Sequence, residues 1–243
     1  MEKSEVATGV KKMIPVLISY VPLGLAAGML LSEAGFHPFG IGLMSLFVFA
    51  GAGQFMAASM VSAGASVISI IAMVFFLNLR HLLLSSSISE YLKGKKLPYL
   101  LLFSHTLVDE SYAMNYTEFS LNPLWNTNNA LAANLSGFAV WVMSTIAGGL
   151  LGQFIPINPI LVNYVLIAMF ICMMVMQWRT RVHVVVGVVT GGLSIFLLHI
   201  LKHNIALVLA ALIGSFIGYY LDRDTEEKMS RAHRAKEVRH ADK

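Results

Sequence analysis

The sequence predicts an all-α, polytopic membrane protein, and three observations support this fold class. Of its 243 residues, 57% are hydrophobic and 12% are charged, whereas soluble domains carry about 25% charged residues. Glu33 is the only charged residue between Lys12 and Arg80. No charged residue lies between Phe119 and Trp178. Because a helix needs roughly 20 mostly apolar residues to cross a bilayer, the chain has room for about seven or eight crossings.

Eight apolar segments follow one another along the chain. We interpret them as helices of a transmembrane bundle, because backbone groups in lipid have to be hydrogen-bonded within their own segment. The segments are 13–31, 41–60, 67–87, 97–113, 130–151, 161–178, 182–200 and 204–221. We therefore expect a polar N-terminal segment at 1–12, a transmembrane permease domain at 13–221 and a charged cytoplasmic tail at 222–243.

Basic residues indicate the orientation, since Lys and Arg concentrate in cytoplasmic loops. The chain has a net charge of +4, and we assign its basic residues to contacts with the headgroups of the lipid bilayer. We therefore expect no nucleic-acid partner. With eight crossings both termini are cytoplasmic, but Lys93, Lys95 and Lys96 would then face outward. Either the charge bias fails there, or one early segment enters and leaves by the same face, which changes the count to seven.

Several functional classes are disfavoured by missing motifs. Cys172 is the only cysteine, so neither an internal disulfide nor a cysteine-cluster metal site is expected. The sequence has no Gly-x-x-x-x-Gly-Lys-Ser/Thr motif for nucleotide hydrolysis and no Gly-x-Ser-x-Gly motif of a serine hydrolase. We therefore expect no enzyme activity, no cofactor and no metal.

The two halves of the sequence show a weak internal similarity at an offset of 121 positions. The matching pairs are Tyr20 with Trp141, Gly28 with Gly149 and Pro38 with Pro159. Three matches can arise by chance. A true repeat would favour a transporter, because many carriers build a midplane site between repeated halves.

The first segment places Tyr20, Pro22 and Gly24 close together. Proline removes a backbone hydrogen bond and clashes with the preceding turn, so we expect this helix to be kinked or broken near 20–24. A break of this kind exposes backbone dipoles that can bind the carboxylate or amine of a substrate. The alternative is a kink that serves packing.

The second segment places Gly51, Gly53 and Gln54 in the middle of an apolar run. Glycine allows a close helix approach, and the Gln54 amide offers both a donor and an acceptor in a dry place. We expect Gly51 and Gln54 to bind substrate. The alternative is a tight helix crossing with an interhelical amide hydrogen bond.

The third segment ends in a polar cluster that contains Asn78, Arg80 and His81. Asn78 and His81 are three residues apart and therefore share a helix face. Arg80 can reach the headgroups from a helix end. Alternatively, it pairs with a carboxylate at membrane depth, because an isolated charge there is costly.

The fourth segment supplies the carboxylates for such a pair. Asp109 and Glu110 lie between apolar residues, and His105 precedes Asp109 by one helical turn if the segment is continuous. We predict a charge cluster of Arg80, His81, Asp109 and Glu110 that carries a coupling proton. The alternative is a salt bridge that only holds two helices together.

Four motifs, taken in order, resemble the large subunit of the bacterial branched-chain amino-acid exporters, the AzlC-type permeases. They are Ser19-Tyr20-Val21-Pro22 with Gly28, Phe49-Ala50-Gly51-Ala52-Gly53-Gln54-Phe55, Leu79-Arg80-His81-Leu82-Leu83 and Leu107-Val108-Asp109-Glu110. The resemblance covers the whole chain except the charged tail. Asn78 departs from the family pattern, because some relatives carry an acidic residue at this position. The charge balance around Arg80 therefore differs in this chain.

The resemblance implies a function beyond what the spacing of residues establishes. It implies a secondary active exporter of neutral aliphatic amino acids such as valine, leucine, isoleucine and methionine, driven by an ion gradient across the cytoplasmic (inner) membrane. It also implies a partner, a small four-span AzlD-type membrane subunit. The alternative is a passive channel or the membrane subunit of an ATP-driven transporter.

Overall fold

The structure, a computed structural model, describes residues 3–154, 181–201 and 209–221, with a few isolated positions between them. Helices are the only regular secondary structure among these residues, which confirms the predicted all-α class. The predicted segment 161–178 is described only at isolated positions, and the predicted tail 222–243 lies outside the described residues.

The chain divides into two compact units, Met1–Leu166 and Ile167–Lys243. The helices of the first unit are α1 Lys3–Glu33, α2 Pro38–Phe47, α3 Gly51–Ser62, α4 Val67–Ile88, α5 Leu97–His105, α6 Asp109–Leu121 and α7 Thr127–Leu151. A 3-10 turn, Ser89–Leu92, extends α4. The helices of the second unit are α8 Arg181–Leu201 and α9 Leu209–Leu221. Among the described helices, α1, α4 with its extension, α7 and α8 are long and apolar enough to cross a membrane, so the predicted count of seven or eight spans is not confirmed.

The second apolar segment is not one helix, because it is divided into α2 and α3 at 48–50. Phe49 has a φ of +27°, a left-handed backbone conformation that a bulky side chain rarely adopts. Ala50 is extended, with φ −145° and ψ 97°. These two residues interrupt the helical hydrogen bonds although no proline is present.

The predicted kink or break near 20–24 is not a break, because α1 is one continuous helix of 31 residues. The missing backbone hydrogen bond at Pro22 is tolerated because the rest of α1 packs tightly on α7. A methyl group on Gly28 would collide with the Thr145 carbonyl oxygen, and one on Gly148 would collide with the Leu25 carbonyl oxygen. The helices therefore approach at backbone contact, as small residues permit in membrane helices.

The fourth apolar segment is also divided, into α5 and α6 at 106–108. His105 ends α5 and Asp109 begins α6, so the prediction that they lie one turn apart on a single helix is wrong. Asp109 and Glu110 occupy the first turn of α6, where the helix dipole favours negative charge. The polar stretch after Asn115 continues this helix to Leu121.

Helices α1 and α7 run in the same direction. Glu5 accepts a hydrogen bond from Asn126 at 2.8 Å, and the Tyr20 ring lies 5.3 Å from the Trp141 ring. Residue numbers in the contacting pairs therefore increase in the same direction along α1 and α7. The offset of 121 noted in the sequence is the register of this parallel packing.

The α2–α3 hairpin enters beside the C-terminal end of α7. Ile41 lies against Gly149, the Ser45 hydroxyl bonds Thr145 at 2.6 Å, and the Phe49 ring lies 4.9 Å from the Phe138 ring. In these three contacts the residue numbers rise along α2 while those of α7 fall. Helix α2 is therefore antiparallel to α7 and runs from its C-terminal end to its middle.

The α5–α6 hairpin enters from the other end of the bundle. Tyr99 in α5 bonds the Thr127 carbonyl oxygen at the start of α7. Glu118 in α6 forms a 2.7 Å salt bridge with Lys12 near the start of α1. Between these two anchors the tip of the hairpin, 106–108, reaches the middle of the bundle.

Helix α4 connects the two hairpins. Gly53 of α3 lies beside Val74, whereas Tyr91, in the turn that extends α4, lies 3.3 Å from the Ser120 hydroxyl near the end of α6. The chain therefore returns through α4 to the end at which α1 begins, which we call the basic end. Its lysines are Lys3, Lys11, Lys12, Lys93, Lys95 and Lys96.

The two hairpins share one design. Their helices contain 10 and 12 residues in the first hairpin and 9 and 13 in the second, with three residues at each tip. At about 1.5 Å per residue, none of the four helices reaches across roughly 30 Å of hydrocarbon. The tips meet near the middle of the bundle, where His105 bonds the Leu46 carbonyl oxygen at 2.7 Å.

Candidate functional site

The place where the two tips meet α1, α4 and α7 is the candidate site. Here an Arg80 guanidinium nitrogen lies 2.7 Å from Asp109 Oδ2, and the two side chains are 24% and 30% exposed. Charges at mid-depth are costly unless they are paired or reach water. Of the two alternatives for Arg80, the structure has the pair with a carboxylate of the fourth segment, and the proton-coupling role of the cluster stays a prediction.

The second carboxylate has a different partner. The Tyr20 hydroxyl donates a 2.9 Å hydrogen bond to Glu110 Oε2. The Tyr20 ring is buried and packs edge-on against the Trp141 ring. At the start of α6, Asp109 therefore contacts α4 and Glu110 contacts α1. Two charge-assisted contacts hold this hairpin tip.

Two histidines bind backbone carbonyl oxygens at the hairpin tips. His81 Nδ1 lies 3.1 Å from the Leu107 oxygen, and His105 Nε2 lies 2.7 Å from the Leu46 oxygen. A carbonyl oxygen only accepts hydrogen bonds, so each of these ring nitrogens carries the proton. The histidines thus satisfy carbonyls that helix ends leave without intrahelical partners.

Both polar atoms of the Gln54 amide have hydrogen-bond partners within the protein. Its nitrogen donates to Ser45 at 2.6 Å, and its oxygen accepts from the Trp141 indole at 2.7 Å. Ser45 in turn shares a 2.6 Å hydrogen bond with Thr145. This geometry favours the interhelical amide hydrogen bond that was the alternative to substrate binding.

The start of α3 offers a polar surface beside this network. Ala50, which precedes the helix, provides no side-chain cap. A methyl group on Gly51 would lie 2.9 Å from the Trp141 ring, and one on Gly53 would lie 3.5 Å from the Asn78 amide nitrogen. Asn78 Oδ1 is buried and has no hydrogen-bond partner among the described residues. Backbone N–H groups and an amide are thus available to a small polar ligand.

The structure brings most of the predicted site residues to the centre. Those at or beside the hairpin tips are Tyr20, Gly51, Gln54, Asn78, Arg80, His81, Asp109 and Glu110. Pro22 is exposed and lies away from them. Gly24 is buried against Ser144 of α7, where it serves helix packing.

Sequence reasoning missed four polar residues that complete the bundle. Ser45 and Thr145 belong to the Gln54 network. Asn115 and Asn134 form a buried amide pair, in which Asn115 donates to Asn134 at 2.8 Å. For Ser45 the signal available in the sequence was a lone polar residue in an apolar run, which indicates burial without identifying the partner.

The basic end carries a second ion pair. Glu118 accepts hydrogen bonds from Lys12 at 2.7 Å and from Asn122 at 2.9 Å. These bonds lower the pKa of Glu118 below its ordinary value. The carboxylate is therefore ionised at neutral pH, eight residues along α6 from Glu110. Among the described residues, no cluster of three or more His, Cys, Asp and Glu side chains is arranged to hold a metal ion.

Known proteins provide an independent comparison. An uncharacterised membrane protein of Archaeoglobus fulgidus is 30% identical over 86% of this chain and 92% of its own length. The branched-chain amino acid transport protein AzlC of Bacillus subtilis is 28% identical over 68% of this chain and 65% of its own length. The inner membrane protein YgaZ of Escherichia coli is 29% identical over 60% of each chain. No solved structure matches the chain.

These relatives are membrane proteins, which agrees with the apolar spanning helices and confirms a membrane location. The family model of the AzlC protein matches residues 15–155. This range is more than half of the 243 residues and contains both hairpins, α4, all of α7 and α1 from Pro15 onward. The chain therefore belongs to the AzlC protein family.

Proposed function

We propose that the protein is a secondary active exporter of branched-chain amino acids, chiefly valine, leucine and isoleucine, with methionine as a further substrate. We propose transport rather than enzyme catalysis, and proton coupling at the central site. The main support is the meeting of two hairpin tips at mid-depth beside the Arg80–Asp109 and Tyr20–Glu110 pairs. The name of the Bacillus subtilis relative supports the substrate class.

We place the basic end in the cytoplasm. The start of α1 and the loop 93–96 at this end hold the lysines, whereas the loops 34–37 and 63–66 at the opposite end contain no Lys or Arg. The first hairpin then inserts from outside and the second from the cytoplasm. On this topology Lys93, Lys95 and Lys96 obey the charge bias, because the second apolar segment leaves by the face it entered. The proposed count is correspondingly smaller than eight.

The substrate fits the start of α3. Its carboxylate is placed on the N–H groups of Gly51, Ala52 and Gly53, where the helix dipole is positive. Its ammonium group is placed toward Asn78 Oδ1, which lacks a partner among the described residues. The branched side chain packs on the Trp141 ring, which borders Gly51.

Coupling is assigned to Glu110. A carboxylate that accepts a hydrogen bond from Tyr20 can take up a proton from outside and release it to the cytoplasm. Asp109 is held by Arg80 in a 2.7 Å ion pair. An inward proton flow through Glu110 would drive outward movement of the amino acid.

The test measures leucine efflux from proteoliposomes under an imposed proton gradient. We expect uphill efflux when the chain is reconstituted with the small four-span AzlD-type subunit, and little efflux with the chain alone. Equal efflux by the single chain would remove the subunit from the proposal. Efflux that requires ATP, or that never proceeds uphill, would support the ATP-driven or channel alternative.

A further inference from the structure

Two fully buried asparagines face each other between α6 and α7. Asn115 is 0% and Asn134 is 1% exposed. The amide nitrogen of Asn115 donates to Asn134 Oδ1 at 2.8 Å. The remaining polar atoms, Asn115 Oδ1 and Asn134 Nδ2, have no partner among the described residues. A buried amide that leaves a donor and an acceptor unused is costly, so such groups require an explanation.

The choice of amide orientation does not remove this deficit. Turning both amides reverses the direction of the shared hydrogen bond, and one NH₂ group and one oxygen remain without partners. A single water molecule supplies what is missing, since it donates to a carbonyl oxygen and accepts from an N–H. The pair therefore has the chemistry of an internal water site.

The unpaired buried atoms are unevenly distributed along the bundle. In the part of the chain that the structure describes, they lie at the level of the hairpin tips or toward the basic end, on Asn78, Arg80, His81, Asn115, Trp125, Asn129 and Asn134. Toward the opposite end, Ser45 and Thr145 are bonded, and α1 meets α7 at backbone contact near Gly28 and Gly148. Water therefore has polar partners on the cytoplasmic side of the tips.

The asparagine pair also lies between two carboxylates. Along α6, Asn115 is about 7.5 Å beyond Glu110 and about 4.5 Å before Glu118, given 1.5 Å per residue. Glu118 reaches the basic end through its 2.7 Å salt bridge with Lys12. The asparagine pair is thus placed between the two carboxylates along the axis of α6.

We propose that Asn115 and Asn134 hold a water molecule that relays protons between Glu110 and the cytoplasmic end of the protein. This inference rests on the proposed function and adds the proton-release route to it. The water accepts a proton on one side and releases another of its protons on the other, so its composition is unchanged. The amides do not titrate. They position the water, and Glu118 passes the proton to solvent.

The experiment uses the full chain with its small subunit in liposomes that contain a pH-sensitive dye. Asn115→Leu removes the amide and fills the water site. We expect leucine-dependent proton movement to slow by about tenfold. Leucine exchange at equal pH, which needs no net proton transfer, should stay near the wild-type rate. Asn115→Ser should retain most proton movement, because its hydroxyl leaves room for water.

Thr117→Val is the matched control. Thr117 lies on the same helix but is exposed, and its hydroxyl bonds the Ala113 carbonyl oxygen. Both activities should be unchanged in this variant. Normal proton movement in Asn115→Leu would overturn the relay. If that variant loses exchange because it misfolds, Asn115→Ser decides, and loss of proton movement there as well, with exchange intact, would overturn a role for water.

A high-resolution experimental structure provides a readout that does not depend on transport. Density for a water bonded to both amides is expected, and a dry pair would overturn the inference. If the wild-type protein moves no leucine, the proposed function fails. The electron density at the two amides would still show whether a water molecule is bound there. If leucine moves without protons, the exporter stands and the relay is withdrawn.

Discussion

The Tyr20 hydroxyl donates a 2.9 Å hydrogen bond to Glu110, which joins the middle of α1 to the tip of the second hairpin. Because Asp109, the neighbouring residue, is bound by Arg80 of α4, the tip links two spanning helices. A change in the protonation of Glu110 alters only one of these links. The hairpin can therefore respond to a proton while the Arg80 contact keeps it in place.

We expect Glu110→Gln to abolish gradient-driven efflux, with a loss of about 100-fold or more, because a general acid–base group contributes at least this much. Leucine exchange should persist, since the amide still accepts a hydrogen bond from Tyr20. Tyr20→Phe should weaken efflux less, and the exposed Tyr116→Phe should be neutral. Efflux and exchange in proteoliposomes over a range of internal and external pH check this prediction. Full efflux by Glu110→Gln with unchanged pH dependence would make Glu110 an anchor only.

We expect Arg80 and Asp109 to be energetically coupled. Arg80→Ala strands a carboxylate and Asp109→Asn strands a guanidinium at mid-depth, so each should lower the amount of folded protein. The double variant should recover part of this loss, with a coupling of about 0.5–3 kcal/mol. Thermal stability of the four proteins in detergent measures the cycle. Strictly additive losses would show that the 2.7 Å pair contributes nothing.

We expect Gly51→Leu to impair transport more than folding, because a side chain there would press on the Trp141 ring at the tip. Gly28→Leu should instead prevent folding, because it would meet the α7 backbone, and overpacking costs about 1–3 kcal/mol or more. Gly40→Ala is the matched control, since its added methyl group meets no atom within 4 Å. Membrane abundance and leucine efflux together separate these effects. Normal efflux by abundant Gly51→Leu would remove the start of α3 from the substrate site.

Gln54→Leu provides a separate test of the amide network. It would leave the buried Trp141 indole without its partner, and buried Ser45 would keep only its bond with Thr145. We expect lower thermal stability by about 1–3 kcal/mol, and a smaller effect on transport per folded molecule. A loss of efflux at unchanged stability would instead favour direct binding of substrate by Gln54.

Composition predicted the membrane class, and the cost of a lone charge predicted that Arg80 would pair with a carboxylate. The hairpin tips were not predictable in this way. The apolar run around Phe49 contains no proline, and its left-handed φ is held by packing on Phe138, a contact far away in sequence. Conversely, Pro22 suggested a break that the tight contact of α1 with α7 prevents. Local residue preferences identified helices, whereas the interruptions arise from tertiary contacts.

Reagent access to engineered cysteines tests the direction in which each hairpin enters. Cys172 is the only cysteine, so a Cys172→Ser background allows single cysteines to be placed at will. Ala63 and Lys95 are both exposed, in the loops before and after α4. We expect Ala63→Cys to react with a membrane-impermeant maleimide in intact cells, and Lys95→Cys to react only after the membrane is opened.

Uninterrupted crossings by the second and fourth segments would give the reverse result, because Ala63 would then be cytoplasmic and Lys95 would face outward. The two topologies therefore differ at both positions, and a labelling artefact at one site cannot imitate the other answer. Leu124→Cys, in the exposed loop between α6 and α7, adds a third position that should follow Lys95. The charge bias argues for the hairpins, since they place the lysines of the loop after α4 and those of the N-terminus on one side. Labelling of Lys95→Cys in intact cells would reject the paired hairpins and, with them, a central site formed by their tips.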